Sequence, residues 1–568
     1  MLVYSGSRMV RGLVLLALVS GCTGSGAAPE RDPASLDTPE IKSTLDAFAG
    51  DRIRQHMATL ADDALEGRAP GTDGFERALR YVETTLRSYG VEPAGEGGSF
   101  RQRVPLRSSK VVEGSSALSV ASKVGNKTLT YGVDYLLGAD HLRENVTIEN
   151  APVAFVGYGV SAPALGYDDY AAAASVEGKV VAYLSGAPAS LPSNERAYFS
   201  SGAVKEAEAA KRGAIGTVSF TSPDDPRFRW NVSVATSKQG SFAWLDERGN
   251  PNRGNTALRG SVSLNHSGVE ALFAGAPKPL AGVFADAAAS KPQAFELVTR
   301  LSVSTRTAHR GVESANLVGR VAGTDRDLQD EHVVYTAHVD HFGRGVAMEG
   351  DDIYNGAHDN ASGAAIVLEV ARAFATLPTR SRRSTLFTFV TAEEWGLLGS
   401  DFFARNPTVP RDGLVANLAL DMPFLFHPLL DIVPYGAQHS TLSGPVGQAA
   451  GHLGIGLADD PIPEQVLFIR SDHYSFVRQG IPSLFIKSGF KTGNPALDGA
   501  AINAAYRRDV YHKPNDDMSQ PFDFEAGAAH ARLNFLTGWL VAQQTARPVW
   551  NDGDFFGELF KVPVSTSR

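Results

Sequence analysis

Cysteine is nearly absent from this chain of 568 residues, and Cys22 is the single one. That excludes an internal disulfide framework. Long apolar runs are missing too. The stretch GLVLLALVS near the start falls well short of the roughly 20 residues a spanning helix requires. No internal repeat is evident, which argues against solenoid and propeller architectures. Positive charge is not in excess, because the net charge is −9, and a broad nucleic-acid footprint is therefore not expected. What remains is 43% hydrophobic and 20% charged residues, the balance of an ordinary globular protein. The length suggests two domains, or one domain carrying an insertion.

Arg8 and Arg11 precede the short apolar run, which ends at Gly21-Cys22, the layout of a secretory leader over residues 1–21. Val19-Ser20-Gly21-Cys22 resembles a bacterial lipobox, in which the cysteine is acylated and becomes the mature N-terminus. The resemblance implies lipidation at Cys22 and a lipid anchor in the bacterial cell envelope, at the outer membrane facing the periplasm or the exterior. Residues 22–44, whose first part is rich in Gly, Ala, Pro and Ser, then read as a tether.

From Asp51 to Gly90 the periodicity predicts helix, with Phe75, Leu79, Val82, Leu86 and Tyr89 on one face and Gly90 as a left-handed stop. Between about 150 and 292 the texture changes to short β-like runs and Gly/Ala/Ser-rich loops. After Ser314, strand and helix alternate. HVVYTA ends at His338, NASGAAIVLEVARAFATL reads as an amphipathic helix, STLFTFVTA ends at Glu393-Glu394, LVANLAL leads to Asp421, and IPSLFI is a later buried strand. A last helix is predicted over about 523–544, and an irregular tail after it. The expected fold is α/β, a mostly parallel or mixed sheet with helices on both faces. Ligands in such sheets bind at the carboxyl ends of the strands.

His338, Glu394 and Asp421 fall at those ends, and Asp359 and His512 lie in turns. Each taken singly has an ordinary explanation, for example a helix cap for Asp359. Together, in this order, the five are what a two-metal hydrolase needs: three ligands per ion, with one carboxylate shared between ions roughly 3.5–4 Å apart. Glu393 beside Glu394 supplies a candidate base, and Asp340, two residues after His338, is placed to hold the imidazole. His and carboxylate ligands suit zinc and also accept manganese or cobalt.

The motifs AHVDHFG, GAHDNASGAA, TAEEWGLLGS, NLALDMP, RSDHYSF and YHKPNDD, with LADDALEGRAPGTDG upstream, resemble the M28 family of metallopeptidases. The segments APVAFVGYGV, GYDDYAAAASVEGKVVAYL and AKRGAIGTVSF resemble a protease-associated (PA) domain, an insertion common in larger M28 members. The resemblance implies a zinc-peptidase-like domain over 45–148 and 293–548, a β-rich PA domain over 149–292, and a C-terminal tail over 549–568. It makes Asp359 the bridging ligand. His338 and Asp421 complete one site for a divalent ion, zinc foremost, and Glu394 and His512 the other. Glu393 becomes the general base, and Asp340 and Asp516 support the ligands. It also implies a cis peptide bond after Asp359. Where some relatives carry an oxyanion-stabilising Tyr this chain has Phe468, which nominates Tyr511, with Tyr474 and Arg470 behind it. The implied activity is removal of N-terminal residues from peptide or protein substrates. Alternatives are carboxypeptidase or dipeptidase action, glutaminyl-cyclase-like chemistry, or a non-catalytic binding lipoprotein.

Overall fold

The computed structural model describes residues 35–561, apart from Val124, Ala174, Pro226 and Arg227. The leader, Cys22 and the start of the tether lie outside the described residues.

The strand His332–His338 forms the centre of the main sheet. It runs parallel to Ser384–Val390 on one side and to Leu414–Ala419 on the other, and the latter is parallel to Ser483–Ser488. Every residue of these four strands is buried, which explains their near-continuous apolar composition. Antiparallel partners close the flanks: Asp431–Tyr435 on Ser483–Ser488, and the end of Phe295–Val321 on Ser384–Val390. The sheet is thus mixed, with a parallel centre.

Alternation along the central strand sends Val333, Tyr335 and Ala337 into one core and Val334 into another. The first core is covered by Asp73–Ser88, Gly363–Thr376 and Phe524–Gln543, and the second by Leu398–Arg405 and His473–Val477. Helices therefore pack on both faces.

The helical stretch expected over 51–90 is broken. Gly50–Leu60 and Asp73–Ser88 are separated by a tight turn in which Glu66, Gly67 and Arg68 all have positive φ. Gly67 is needed there, since a Cβ would lie 2.5 Å from the Tyr354 carbonyl oxygen. Thr72 caps the second helix by accepting from the Phe75 amide. Gly90 takes the left-handed conformation, φ 79°.

Gly363–Thr376 was expected to be amphipathic, yet it is buried continuously from Gly363 to Ala371, including Glu369. Gly50–Leu60, Asp73–Ser88 and Phe524–Gln543 all pack against it. Glu369 accepts from Arg52 at 2.7 Å and from Arg372 at 2.9 Å. Burial pushes this carboxyl up, but hydrogen bonds from His56, Arg372 and Arg52 outweigh it and bring the pKa down to about 2. A depressed folded-state pKa gives stability that is full above about 4.5 and lost as pH falls from there towards 2. That stability amounts to roughly 3 kcal/mol. Urea unfolding at pH 7 and at pH 3 is expected to show a smaller stability loss in Glu369→Gln than in wild type. An equal loss in both would remove Glu369 from the acid response.

A second sheet contains Ala117–Ser122, Gly125–Leu129, Tyr135–Leu137, Asn145–Phe155, Val180–Leu184, Gly216–Phe220 and Ser261–Leu264. Its core includes Phe155, Val218, Leu264 and Leu301. The 27-residue strand Phe295–Val321 runs through both sheets: Arg306 pairs with Asn145 in the second, and Thr307 with Val111 in the first. The structural division therefore falls near 112–116 and between 306 and 307, outside the boundaries at 149 and 293 expected from sequence. A single strand shared by two sheets carries no turn signal where it crosses.

Residues 549–561 are more ordered than an irregular tail. Asp554 caps the short helix Phe555–Leu559, and Phe556 is fully buried.

Candidate metal centre

His338 is the last residue of the central strand, while Glu393-Glu394 and Asp421 follow the two strands flanking it. Three adjacent carboxyl ends thus converge on one point. Asp359 sits in the tight turn Ala357–Ser362 before Gly363–Thr376, with a cis peptide bond to Asn360. Asp516 secures this turn: its two carboxylate oxygens accept from the amides of His358 and Asp359, each at 3.0 Å. Asn360, not Asp359, takes the capping role, accepting from the Gly363 amide at 2.9 Å. Asp359 is left free to face the cleft.

The two oxygens of Asp359 point to different imidazoles. Oδ1 lies 3.3 Å from His338 Nε2, and Oδ2 lies 3.1 Å from His512 Nε2. Asp421 is 3.7 Å from His338 Nε2, and Glu394 is 3.2 Å from His512 Nε2. Glu393 stands 3.8 Å from His338 Nε2. All five ligand candidates and Glu393 are therefore together. Asp340 reaches His338 chiefly through its backbone, since the His338 Nδ1–H donates to the Asp340 carbonyl at 3.2 Å while the carboxylate lies 3.9 Å away. The Asp340 carboxylate instead accepts from the Glu393 amide at 3.1 Å.

Two neighbours were not singled out from sequence. His341 Nδ1 donates to Glu394 at 2.5 Å, and the second histidine of His-Val-Asp-His was the available signal. Asp472, within RSDHYSF, is buried near Ser400, and neither carboxylate oxygen has a hydrogen bond of good geometry among the described residues. Arg68, fully buried, donates to the carbonyls of Leu60, Val339, Asn355 and Gly356. It thereby ties the loop after His338 to the turn that carries Asp359.

Tyr511 stacks on His512 with ring centroids 3.7 Å apart, and Arg470 donates to its hydroxyl oxygen at 3.0 Å. Tyr474, one of the two weaker candidates, lies in an apolar cluster with Phe468 and Phe560.

Electrostatics make this a place for cations. Burial pushes Glu393 well above the usual carboxylate range, with Asp421, Glu394 and Asp472 adding repulsion and His338 opposing it. Burial likewise raises Asp340 and Asp472 to about 7. Glu394 is pushed up by burial and by Asp359, but His512 and His341 prevail and hold it at about 2. For His338, burial works downward, yet Glu393, Asp359 and Asp421 raise it well above its ordinary value. His338 Nε2, His512 Nε2 and Asp421 Oδ1 are buried without a hydrogen bond of good geometry. Carboxylates crowded at this density are costly unless positive charge joins them. The donor set, imidazole nitrogen and carboxylate oxygen, fits two divalent ions of the zinc type.

The second sheet's segment contributes to the frame of the site. Its strand Ser241–Trp244 leaves that sheet and pairs with Arg101–Val111 of the main one. From there Phe242 packs edge-on against Trp395 at 4.9 Å, Arg253 donates to the Gly396 carbonyl at 2.6 Å, and Trp244 donates to Asp401 at 2.9 Å. These contacts brace the turn directly after Glu393-Glu394.

Residues 316–536 match the family model described as Peptidase family M28, and that stretch contains every ligand candidate. That stretch is less than half of the chain. Over 109 residues the chain is 38% identical to a probable zinc metalloprotease of Pyricularia oryzae, covering 19% of this chain and 21% of that protein. Over 185 residues it is 29% identical to leucine aminopeptidase 2 of Trichophyton rubrum, covering 31% of this chain and 37% of the relative. The similarity thus spans well under half the length of these curated relatives. Among solved structures, the aminopeptidase from Aneurinibacillus sp. strain AM-1 shares the fold, with a TM-score of 0.52 and 17% identity over 89% of this chain and 96% of that one.

Proposed function

We propose that this protein is a metal-dependent exopeptidase that removes N-terminal residues from peptides through a two-metal site. The observation that carries the reading is Asp359, one carboxylate whose two oxygens face His338 and His512 separately. In this reading His338, Asp421 and Asp359 hold one ion, and Glu394, His512 and Asp359 the other.

Divalent ions held there would acidify a water and polarise the scissile carbonyl. Glu393 takes the proton from the attacking water and returns it to the departing amine. Asp340 fixes the Glu393 backbone, and His341 fixes Glu394. Because Arg470 donates to the Tyr511 oxygen, the Tyr511 O–H is left to donate towards the carbonyl oxygen as negative charge develops there. The second sheet is proposed to be a PA-type insertion that braces the turn bearing the base.

Elemental analysis of the zinc-loaded protein is expected to give two ions per chain. Mass spectrometry of a peptide mixture is expected to show ladders shortened from the N-terminus. Ladders shortened only from the C-terminus, or only cyclised N-terminal glutamine, would overturn the aminopeptidase reading.

A further inference from the structure

The cleft in front of the ligands is a cavity of about 580 Å³, a size typical of small-molecule pockets. One wall comes from the main domain and includes Phe342, Tyr354, Tyr511 and His512; the facing wall is the helix Trp230–Ser237 of the second sheet's segment, through Asn231, Val232, Ala235 and Thr236. A cavity of this volume takes a short peptide.

The charged side chains lining this cavity are, besides His512, all cationic: Arg229, Arg470, Arg507 and Lys513, with no carboxylate among them. Arg470 and Arg507 matter most. Among the described residues neither forms an ion pair; Arg470 donates to Tyr511, and Arg507 donates to Asn503 at 3.0 Å. They lie close enough to repel one another, and that repulsion, after burial, lowers the Arg507 pKa. The carboxylates acting on Arg470 are Glu393, Asp421 and Asp359, which bound ions would neutralise. Arg470, exposed, and Arg507, half-buried, then line the cleft with no ion-pair partner among the described residues. An anionic group on the substrate would supply one, and guanidinium matches a carboxylate with two parallel hydrogen bonds.

Arg470 reaches Tyr511, which stacks on His512. Arg470 therefore borders the end of the cleft that holds the ligand candidate His512. We infer that Arg470 and Arg507 select short peptides carrying a carboxylate close to the scissile bond. This inference rests on the peptidase reading of the same site. The carboxylate has two possible sources, the free C-terminus of a dipeptide or an acidic side chain.

Two matched pairs separate them: Leu-Ala against Leu-Ala-amide, and Leu-Glu-amide against Leu-Gln-amide. In the zinc-loaded wild type, kcat/KM is expected to favour the carboxylate member of at least one pair by tenfold or more. The first pair reports a dipeptide terminus and the second an acidic side chain. In Arg507→Gln the preference should fall below twofold, and Arg507→Lys, which keeps the charge, should retain most of it. Calorimetric titration of the same peptides onto the zinc-loaded Glu393→Gln protein reads binding without turnover. Tighter binding of a carboxylate member supports the inference, even if the wild type cleaves none of the four and the peptidase reading falls. Equal binding and equal kcat/KM within both pairs overturn it while leaving the peptidase reading intact.

Discussion

Glu393→Gln is expected to retain two zinc ions per chain and to lose turnover by about 10²–10⁴-fold, the range that a positioned general base contributes. The substitution keeps the size of the side chain and removes only its capacity to take a proton. The surroundings predict that it will fold well. Glu393 is buried among Asp421, Glu394 and Asp472, whose charges repel its own, so a neutral amide relieves repulsion. Elemental analysis, circular dichroism and kcat on a single peptide check the three parts of this outcome together. KM should change far less than kcat, because a base acts in the transition state and contributes little to ground-state binding. Full activity in a metal-replete variant would reject Glu393 as the base. Loss of one ion would show that Glu393 is a ligand instead, a role within reach of its 3.8 Å approach to His338.

Much of this site could be read from the chain because its residues sit where strand patterns end. His338, Glu393-Glu394 and Asp421 each close a buried apolar run, and a parallel sheet brings such ends together whatever the sequence separation. The pattern was silent where function depends on tertiary contact. Asp472 directly precedes the short helix His473–Val477, which has no periodic signal, and only folding buries its carboxylate next to the ligands. The ring of His341 is aimed at Glu394 by a loop conformation that spacing does not encode. Arg68 looks like a surface residue in LEGRAP, yet it sits at 1% exposure holding four carbonyls. The passage from one sheet to the other left no signal for a similar reason. Burial alternates from Leu297 through Thr307, straight across the change of partner at Arg306, which leaves no mark on composition. The helix read as amphipathic is buried from Gly363 to Ala371, and Arg52 and Arg372 pair with Glu369 inside it.

Asp359→Ala is expected to abolish activity and to remove both ions together. In the proposed arrangement each ion has three protein ligands, and this carboxylate is counted in both sets. Losing it leaves two ligands on each side, His338 with Asp421 and Glu394 with His512, fewer than catalytic zinc sites use. The same loss removes the one negative group lying between two like-charged ions. His512→Ala provides the contrast, since it touches one side only and should leave His338, Asp421 and Asp359 with one ion bound. Stability offers a second reading of the same difference. A ligand at 100 times its Kd stabilises the folded state by about 2.7 kcal/mol per site. Wild type should therefore melt measurably higher with zinc than after chelation, and His512→Ala should keep part of that increment. Asp359→Ala should show none of it. Asp516 still accepts from the backbone amides of the turn in this variant, so a folded protein without metal response is the expected state. Two ions per chain in Asp359→Ala by elemental analysis would remove it from the ligand set. One ion would make it a ligand to a single metal and end its assignment as the bridge.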